Sequence, residues 1–374
     1  MQTTGKNLSL YFHIPFCLKK CPYCQFYSTI YNKNEKDILI DAILKHINIY
    51  KNILDSRNIV SIYFGGGTPS LLDSKDIEKI LNFLTISKNC EITIEANPDF
   101  LKTEKIKDLK NSGINRLSIG AQTFNDSLLK KIGRTHSSEK TKEIILEAFK
   151  IGFENISIDL MYDLPNENLI KFENSLNEIK KLPISHVSLY NLVIEENTPF
   201  FKIKNKLKKI IPDNEESLKI LNHAVNFLSE NNFKRYEISA FSKNNKISIH
   251  NMGYWTQREF LGLGPSAFSY FENKRFKNIS NTKKYSENIF GNKNFIEFEE
   301  VLNYPNNLLE HLIVNLRVLE GINLEKFEKN LNLKIPDTTI EFLKNSEFIE
   351  FEENFIKLNA KGINFYDNLA IELI

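Results

Sequence analysis

The chain has 374 residues, 49 basic against 47 acidic side chains and a formal net charge of +2. That length allows one large domain with a smaller one, and the near balance of charge excludes a broad field that would draw the chain to nucleic acid or an anionic membrane. No apolar run approaches the roughly 20 residues of a membrane span, the opening Met-Gln-Thr-Thr-Gly-Lys-Asn lacks the apolar core of a signal peptide, and four cysteines make no disulfide framework, so a reducing, cytoplasmic setting is expected.

Short β-rich runs recur along the first half. They are Ser9–Ile14 (SLYFHI), Val60–Phe64 (VSIYF), Ile92–Glu95 (ITIE), Arg116–Gly120 (RLSIG), Ile156–Met161 (ISIDLM) and Val187–Leu192 (VSLYNL), each ending near Gly, Pro, Asn or Asp. Segments between them carry apolar residues at helical spacing, as in Ile77–Leu84 and Thr141–Phe149, with Ser74 and Thr103 as expected N-caps and Gly113 and Gly152 as expected stops. Strand–helix alternation repeated six times predicts an α/β fold with a parallel sheet and helical crossovers. Phe200–Ile211 reads as a lysine-rich solvated connector and Asp213–Ser229 as one more helix. From about residue 300 the character changes: Leu308–Leu319 and Ile340–Lys344 read as helices and Phe348–Leu358 as a hairpin around Glu352-Glu353-Asn354. That is a winged-helix-like α+β unit, and without a basic cluster it is expected to pack on the main domain.

Chemistry in parallel β/α folds collects at the C-terminal ends of the strands. Here those ends deliver His13-Ile14-Pro15, Gly65-Gly66-Gly67-Thr68-Pro69, Glu95-Ala96-Asn97-Pro98, Gly120-Ala121-Gln122, Asp163-Leu164-Pro165 and Asn191. Six polar or glycine-rich ends meeting at one mouth favour a barrel over an open sheet, whose one crevice would serve only its switch point. The first strand runs into Cys17-Leu-Lys-Lys-Cys21-Pro-Tyr-Cys24, three of the four cysteines in eight residues. Pro22 disfavours a helix there, so a loop wrapped around a group is expected. A zinc site would need a fourth ligand, for which His13 is the nearest candidate. A redox pair of Cys21 and Cys24 would leave Cys17 without a role. A [4Fe-4S] cluster on three thiolates would leave one iron open to a small molecule. Cys90 is expected at the opposite end as a buried, inert thiol, between a helix and a strand.

Cys-x3-Cys-x2-Cys after a first strand, followed by a Gly-Gly-Gly-Thr-Pro loop after the second, resembles the radical S-adenosyl-L-methionine (SAM) superfamily. The resemblance implies a partial TIM-like (β/α)6 barrel, with the open iron chelated by SAM, whose reductive cleavage yields a 5′-deoxyadenosyl radical. Tyr11–Cys17 (YFHIPFC), Phe64–Ser70 (FGGGTPS), Gly120–Phe124 (GAQTF), Ile158–Tyr162 (IDLMY) and Gly262–Gly264 (GLG) are similar to the anaerobic coproporphyrinogen III oxidase-like (HemN/HemW) branch, over almost the whole chain. The oxidases carry a further cysteine two residues past the third, where this chain has Phe26, and a long extension where only 16 residues precede Cys17. His250-Asn-Met-Gly-Tyr-Trp255 resembles the HNxxYW motif of the branch's heme chaperones.

The resemblance implies one [4Fe-4S] cluster on Cys17, Cys21 and Cys24 and SAM contacts from Tyr11, Tyr23, Gly66, Gly67, Thr68, Glu95, Gln122, Arg134 and Asp159. The last three match positions that hold a second SAM in the oxidase. Read as residues alone, Tyr11 and Tyr23 fit ordinary core aromatics, Glu95 a surface salt bridge, and Gln122, Arg134 and Asp159 structural polar contacts. The glycines suit backbone that comes close to a ligand. His250, Tyr254 and Trp255 are the heme candidates, with a hydrogen-bonded loop closing the barrel mouth as the other reading, and Gly262–Ala267 suits a backbone turn near SAM. The implied layout is a barrel core over 8–240, a closing connector over 241–298 and a C-terminal unit over 299–374. The implied function is a heme chaperone that binds heme and passes it to an acceptor protein, with cluster, exchangeable SAM and an electron donor as partners. Its alternative is an oxygen-independent coproporphyrinogen III oxidase (dehydrogenase). No nucleic acid and no transmembrane segment are expected, and peripheral contact with a membrane acceptor stays open.

Overall fold

Strand β1 (Asn7–Ile14) sets the rule for the molecule. Its side chains alternate with period two, Ser9, Tyr11 and His13 on one face and Leu8, Leu10, Phe12 and Ile14 on the other. β2 (Asn58–Gly66), β3 (Ile86–Ala96), β4 (Arg116–Gln122), β5 (Asn155–Tyr162) and β6 (His186–Asn191) follow in parallel. The apolar faces pack under the crossover helices α1 (Lys33–Ile49), α2 (Ser74–Asn82), α3 (Thr103–Asn111), α4 (Ser138–Lys150) and α5 (Leu169–Ile179), where Leu10, Phe12, Ile62, Phe64, Ile43 and Ile77 share one core. The polar faces turn inward and bond across strands: Ser61 to Ser9, Tyr63 to Glu95, Ser118 to Asp159 and Ser157 to His186. A TIM barrel normally fills this space with branched aliphatics; here it is a polar lumen.

The computed structural model describes residues 6–373; residues 1–5, part of the stretch read for its lack of a signal-peptide core, lie outside them. Among the described residues the main sheet has twelve strands and does not close. Beyond β6 it ends in two antiparallel strands, β8 (Ala240–Ser242) and then β7 (Lys234–Glu237). On the other side β9 (Phe260–Leu263) runs parallel to β1, and β10 (Phe268–Phe271), β11 (Lys274–Asn278) and β12 (Ile296–Val301) extend it antiparallel. The result is a partial barrel of six successive β/α strands, β1 to β6, joined by β9 as a seventh parallel strand, with a lateral wing where a plain connector was expected. The boundary placed at 298/299 falls inside β12.

Several local expectations shift. Helix α2 is capped by Asp73, whose carboxylate and that of Asp76 form a capping box, and α3 starts after Lys102; Ser74 and Thr103 are the first helical residues instead. Gly113 and Gly152 do follow the helix ends, in left-handed backbone at φ 102° and 101°. The lysine-rich connector holds two short helical turns, Pro199–Lys202 and Lys204–Leu207, before α6 (Asn214–Glu230). Cys90 lies within β3 and not before it; it is buried, and burial pushes its thiol up to about 12.

A second core gathers Leu308, Leu312, Leu316, Phe327, Leu343 and Ile356. It joins α9 (Asn306–Leu316), α10 (Leu324–Leu331) and α11 (Asp337–Asn345) to a three-stranded sheet of β13 (Ile322–Asn323), β15 (Phe355–Leu358) and β14 (Ile349–Glu352), in that order. The hairpin turn carries Glu353 at φ 51°, close to the turn read from Glu352-Glu353-Asn354. Helix α7 (Ile249–Trp255) packs against β2 and α9, and α8 (Thr282–Phe290), between β11 and β12 in the chain, packs on α1. No helix of the described residues is long and apolar enough to cross a membrane.

Candidate functional site

Past β1 the chain turns at Pro15, and a two-residue bridge, Phe16–Cys17 beside Thr29–Ile30, pins both ends of the cysteine loop. Between them Cys24 N–H closes a turn onto Cys21 C=O at 3.2 Å. Cys17, Cys21 and Cys24 all face one small cavity with Tyr23, Gly66, Gly67, Thr68 and Arg134. So eight of the residues named from the sequence converge there. Thr68 donates its hydroxyl to Cys17 Sγ at 3.6 Å, and a guanidinium N–H of Arg134 points at Cys21 Sγ from 3.9 Å. Burial pushes the Cys17 and Cys24 thiols up, opposed by hydrogen bonds from Thr68 and Ser28 to Cys17 and from the Phe26 N–H to Cys24; the neighbouring Cys21 sulfur raises both further. Such thiols stay protonated until a cation displaces the proton. Among the described residues no three Cys, His, Asp or Glu side chains close around a single ion. The three sulfurs instead border a wider cradle, which suits a cluster that takes each thiolate on a separate iron. His13, the candidate fourth zinc ligand, is engaged elsewhere: Nε2 meets the Tyr27 carbonyl at 3.0 Å and Nδ1 the Tyr11 hydroxyl at 3.2 Å, and burial lowers its pKa to about 4.

The glycine loop needs its glycines for a different reason from the one read in the sequence. A Cβ on Gly66 would lie 2.7 Å from the His13 ring, and one on Gly67 would lie 2.7 Å from the Phe16 carbonyl. Gly66 also sits at φ 113°. The loop is glycine so that it can lie against β1 and the start of the cysteine loop, held by Gly67 N–H on Ile14 C=O and Thr68 N–H on Phe16 C=O, each 2.8 Å. That packing sets its backbone at the rim of the cysteine cavity.

Glu95, Asp159, Gln122 and Tyr11 stand apart from that cavity, inside the lumen beneath it. Glu95 accepts from the Tyr63 hydroxyl at 3.0 Å and the Gly66 N–H at 3.2 Å, so it anchors the glycine loop and makes no surface salt bridge. Burial, reinforced by Asp159, raises its pKa to about 7, and burial raises Asp159 to about 6 against the pull of Arg116 and Arg134. Gln122 follows a bulge at the end of β4 with φ 64°, which aims its carbonyl at the Tyr190 hydroxyl, 2.8 Å away. Arg134 donates to Gly120 C=O at 2.7 Å. Asn97 at the cavity rim and Arg116 in the lumen were not singled out from the sequence. Asn97 ends a strand already read as pointing at the mouth. Arg116 occupies an inward position of β4 that the period-two alternation marks.

The His250–Trp255 motif does not close the mouth. It forms α7, which enters from the opposite end. Its first N–H groups, of Ile249 and His250, each donate 3.0 Å bonds to the Glu91 carboxylate low on β3, an anion at a helix N-terminus. His250 is buried with both ring nitrogens engaged, Nδ1 with Ser61 Oγ at 3.0 Å and Nε2 with Tyr254 OH at 2.8 Å, and burial lowers its pKa to about 3. It is built into the barrel floor and is not offered to a ligand. Tyr254 and Trp255 instead face a separate cavity of about 700 Å³ under the wing, which reaches the lumen at Tyr11 and His13. The Gly262-Leu-Gly264 turn lies on β1: a Cβ on Gly264 would sit 2.5 Å from the His13 carbonyl.

The family description of the radical SAM superfamily matches residues 11–179. The heme chaperone HemW of Buchnera aphidicola subsp. Schizaphis graminum (strain Sg) is 37% identical over 372 residues, covering 97% of each chain. Those of Lactococcus lactis subsp. lactis (strain IL1403) and Bacillus subtilis (strain 168) are each 32% identical, covering 97% and 95% of this chain and 96% of either relative. Among solved structures the chain is similar to the Escherichia coli coproporphyrinogen III oxidase HemN, a radical SAM enzyme, with TM-score 0.85, 23% identity, and coverage of 99% of this chain and 90% of that one. That likeness shows the fold.

Proposed function

Because the chain belongs to the HemN/HemW family of radical SAM proteins, we propose that it is a heme chaperone, one that holds heme and hands it to an acceptor protein while a cluster and SAM occupy the barrel mouth. The observation that carries this is kinship with heme chaperones along nearly the whole length, joined to a site of three cysteines with Phe26 beyond them. Cys17, Cys21 and Cys24 would hold a [4Fe-4S] cluster, and the rim of Gly66, Gly67 and Thr68 would face SAM. When bound, the cluster supplies an electron and an open coordination position.

The remaining roles belong to this chain's own residues. Arg134, beside Cys21, places positive charge against sulfur and lowers the cost of gathering thiolates in a half-buried cavity. Tyr23 walls the cavity against Phe200, ring centroids 6.4 Å apart. Glu95 fixes the glycine loop and, with Asp159, gives the lumen proton-holding carboxyls near neutral pH. We take the barrel core, the wing with α7 and the C-terminal unit as three working parts, divided after β8 near residue 243 and after β12 near residue 302.

The test is transfer. Reconstituted anaerobically and loaded with hemin, the protein is expected to pass heme to an apo-hemoprotein, read as growth of the acceptor's absorbance. Cys17→Ala, Cys21→Ala and Cys24→Ala should each abolish the iron–sulfur chromophore, and Cys90→Ala should leave it intact. Retained chromophore in a triple Cys→Ala variant, or no hemin uptake by the native protein, would overturn the reading.

A further inference from the structure

The cluster and SAM reading leaves the cavity under the wing without a role. Its volume, about 700 Å³, lies in the range of sites for drug-sized molecules, about 300–1,000 Å³. Its walls are aromatic: Tyr254 and Trp255 from α7, Tyr27 and Phe26 from the cysteine loop, and Phe268 and Tyr270 from β10. Phe26 and Phe268 are 61% and 52% exposed, so two large apolar rings stand open to solvent at this one cavity. A flat, largely apolar molecule is what such walls accept. The wing brings Arg275 and Lys277 to the same space, and α9 covers it with Glu310, His311 and Val314.

His311 is the group that turns a planar-ligand cavity into a metalloporphyrin site. It is 7% exposed, lines the cavity and points Nε2 at the Tyr270 hydroxyl, 2.8 Å away across the gap between α9 and β10. Burial lowers its pKa to about 4, so at neutral pH it is a neutral imidazole, the form that ligates iron. Of the three histidines near this cavity, His13 and His250 each have both ring nitrogens engaged, whereas His311 has one ring partner, the Tyr270 hydroxyl on the cavity's own wall.

Resting on the heme-chaperone reading, we propose that heme binds in the cavity under the wing with His311 as its axial ligand, Nε2 exchanging the Tyr270 hydroxyl for the iron. The ligand then comes from the C-terminal unit while the opposite wall comes from the barrel and wing. A movement of α9 would break the iron bond and open the cavity together. Arg275 already bridges the two parts through Glu310 at 3.0 Å, so the same pair latches the cavity shut.

The experiment titrates hemin into the full-length reconstituted protein, following the Soret band and electron paramagnetic resonance of the ferric iron. Native protein is expected to give a histidine-ligated signature at one equivalent. His311→Ala should lose that signature and bind about tenfold or more weakly, with the iron–sulfur absorbance unchanged as proof of folding. Added imidazole should restore the signature in the His311→Ala protein. His250→Ala should keep it, as should His223→Ala on the surface of α6. If native protein binds hemin and His311→Ala is spectrally identical to it, or if His250→Ala alone loses the signature, the assignment falls while the chaperone reading stands. If native protein takes up no hemin, both fall.

Discussion

Glu95 shows how much a single inward residue can carry. It bonds Tyr63 and the Gly66 N–H, and burial raises its pKa from 4.5 to about 7. Between those two values the folded chain keeps a proton that the unfolded chain has lost. Stability contributed by the protonated form is therefore present below pH 4.5 and is lost as pH rises through 7. Buried neutral histidines such as His13 and His311 pull the other way between pH 4 and 6.5, so the useful quantity is a difference between variants. In cluster-free protein, the melting temperature of Glu95→Gln minus that of the native chain should rise from pH 5 to pH 8 by roughly 2–4 °C, for about 1 kcal/mol. A difference that stays flat or falls would show that Glu95 titrates as an ordinary surface carboxyl. That Cys17, Cys21 and Cys24 share one cavity was legible by contrast, because C-x3-C-x2-C is a local pattern. The position of His250 was not, since its environment comes from Ser61, Tyr63 and Glu91, distant in sequence.

The six successive strands fall where β-rich runs and their stops placed them; most observed ends lie one to six residues further out, Ile14 and Arg116 coincide, and the last strand stops one residue short of Leu192. Their inward polarity is carried by the strict alternation of SLYFHI and VSIYF but was not read from it. Burial on both faces hid it, because a polar lumen and an apolar shell look alike to a count of β-formers. Helix α7 and strand β9 were out of reach for a physical reason. Each is fixed by a partner far along the chain: the Glu91 carboxylate lies 159 residues before the His250 N–H it accepts, and β9 pairs with β1. The packing of β9 on β10 makes a sharp test of the wing. A Cβ on Gly262 would stand 2.1 Å from the Phe268 carbonyl, where backbone has to give way. Gly262→Ala is expected to lower stability by about 1–3 kcal/mol, read as an earlier urea midpoint, and to weaken hemin binding. An unchanged midpoint would mean that β10 does not lie on β9 as described.

At the scale of the whole molecule the barrel is open on one side, and the opening is used. The sheet continues from β1 into the wing, so the lumen that ends at the cysteine cavity leads sideways into the aromatic cavity under α9. Tyr11 and His13 form the partition: both line the aromatic cavity, and the His13 ring abuts Gly66 at the rim of the other. Two chambers with one shared wall suit the proposed function, in which a cluster would bear on a neighbouring porphyrin without reacting at it. The C-terminal unit, read from the sequence as a small appendage that packs on the main domain, supplies one side of the second chamber. Its separate core explains why that role was invisible: residues 308–373 fold around each other, and only α9 presents polar side chains outward to the cavity. The oxidase fold it resembles does not decide the chemistry, so the chemistry must be measured. The decisive measurement gives the anaerobically reconstituted, reduced protein SAM together with either hemin or coproporphyrinogen III, and follows both pigments by absorbance and mass spectrometry. Stoichiometric hemin binding with coproporphyrinogen recovered intact is the expected result; decarboxylation to protoporphyrinogen would contradict the account.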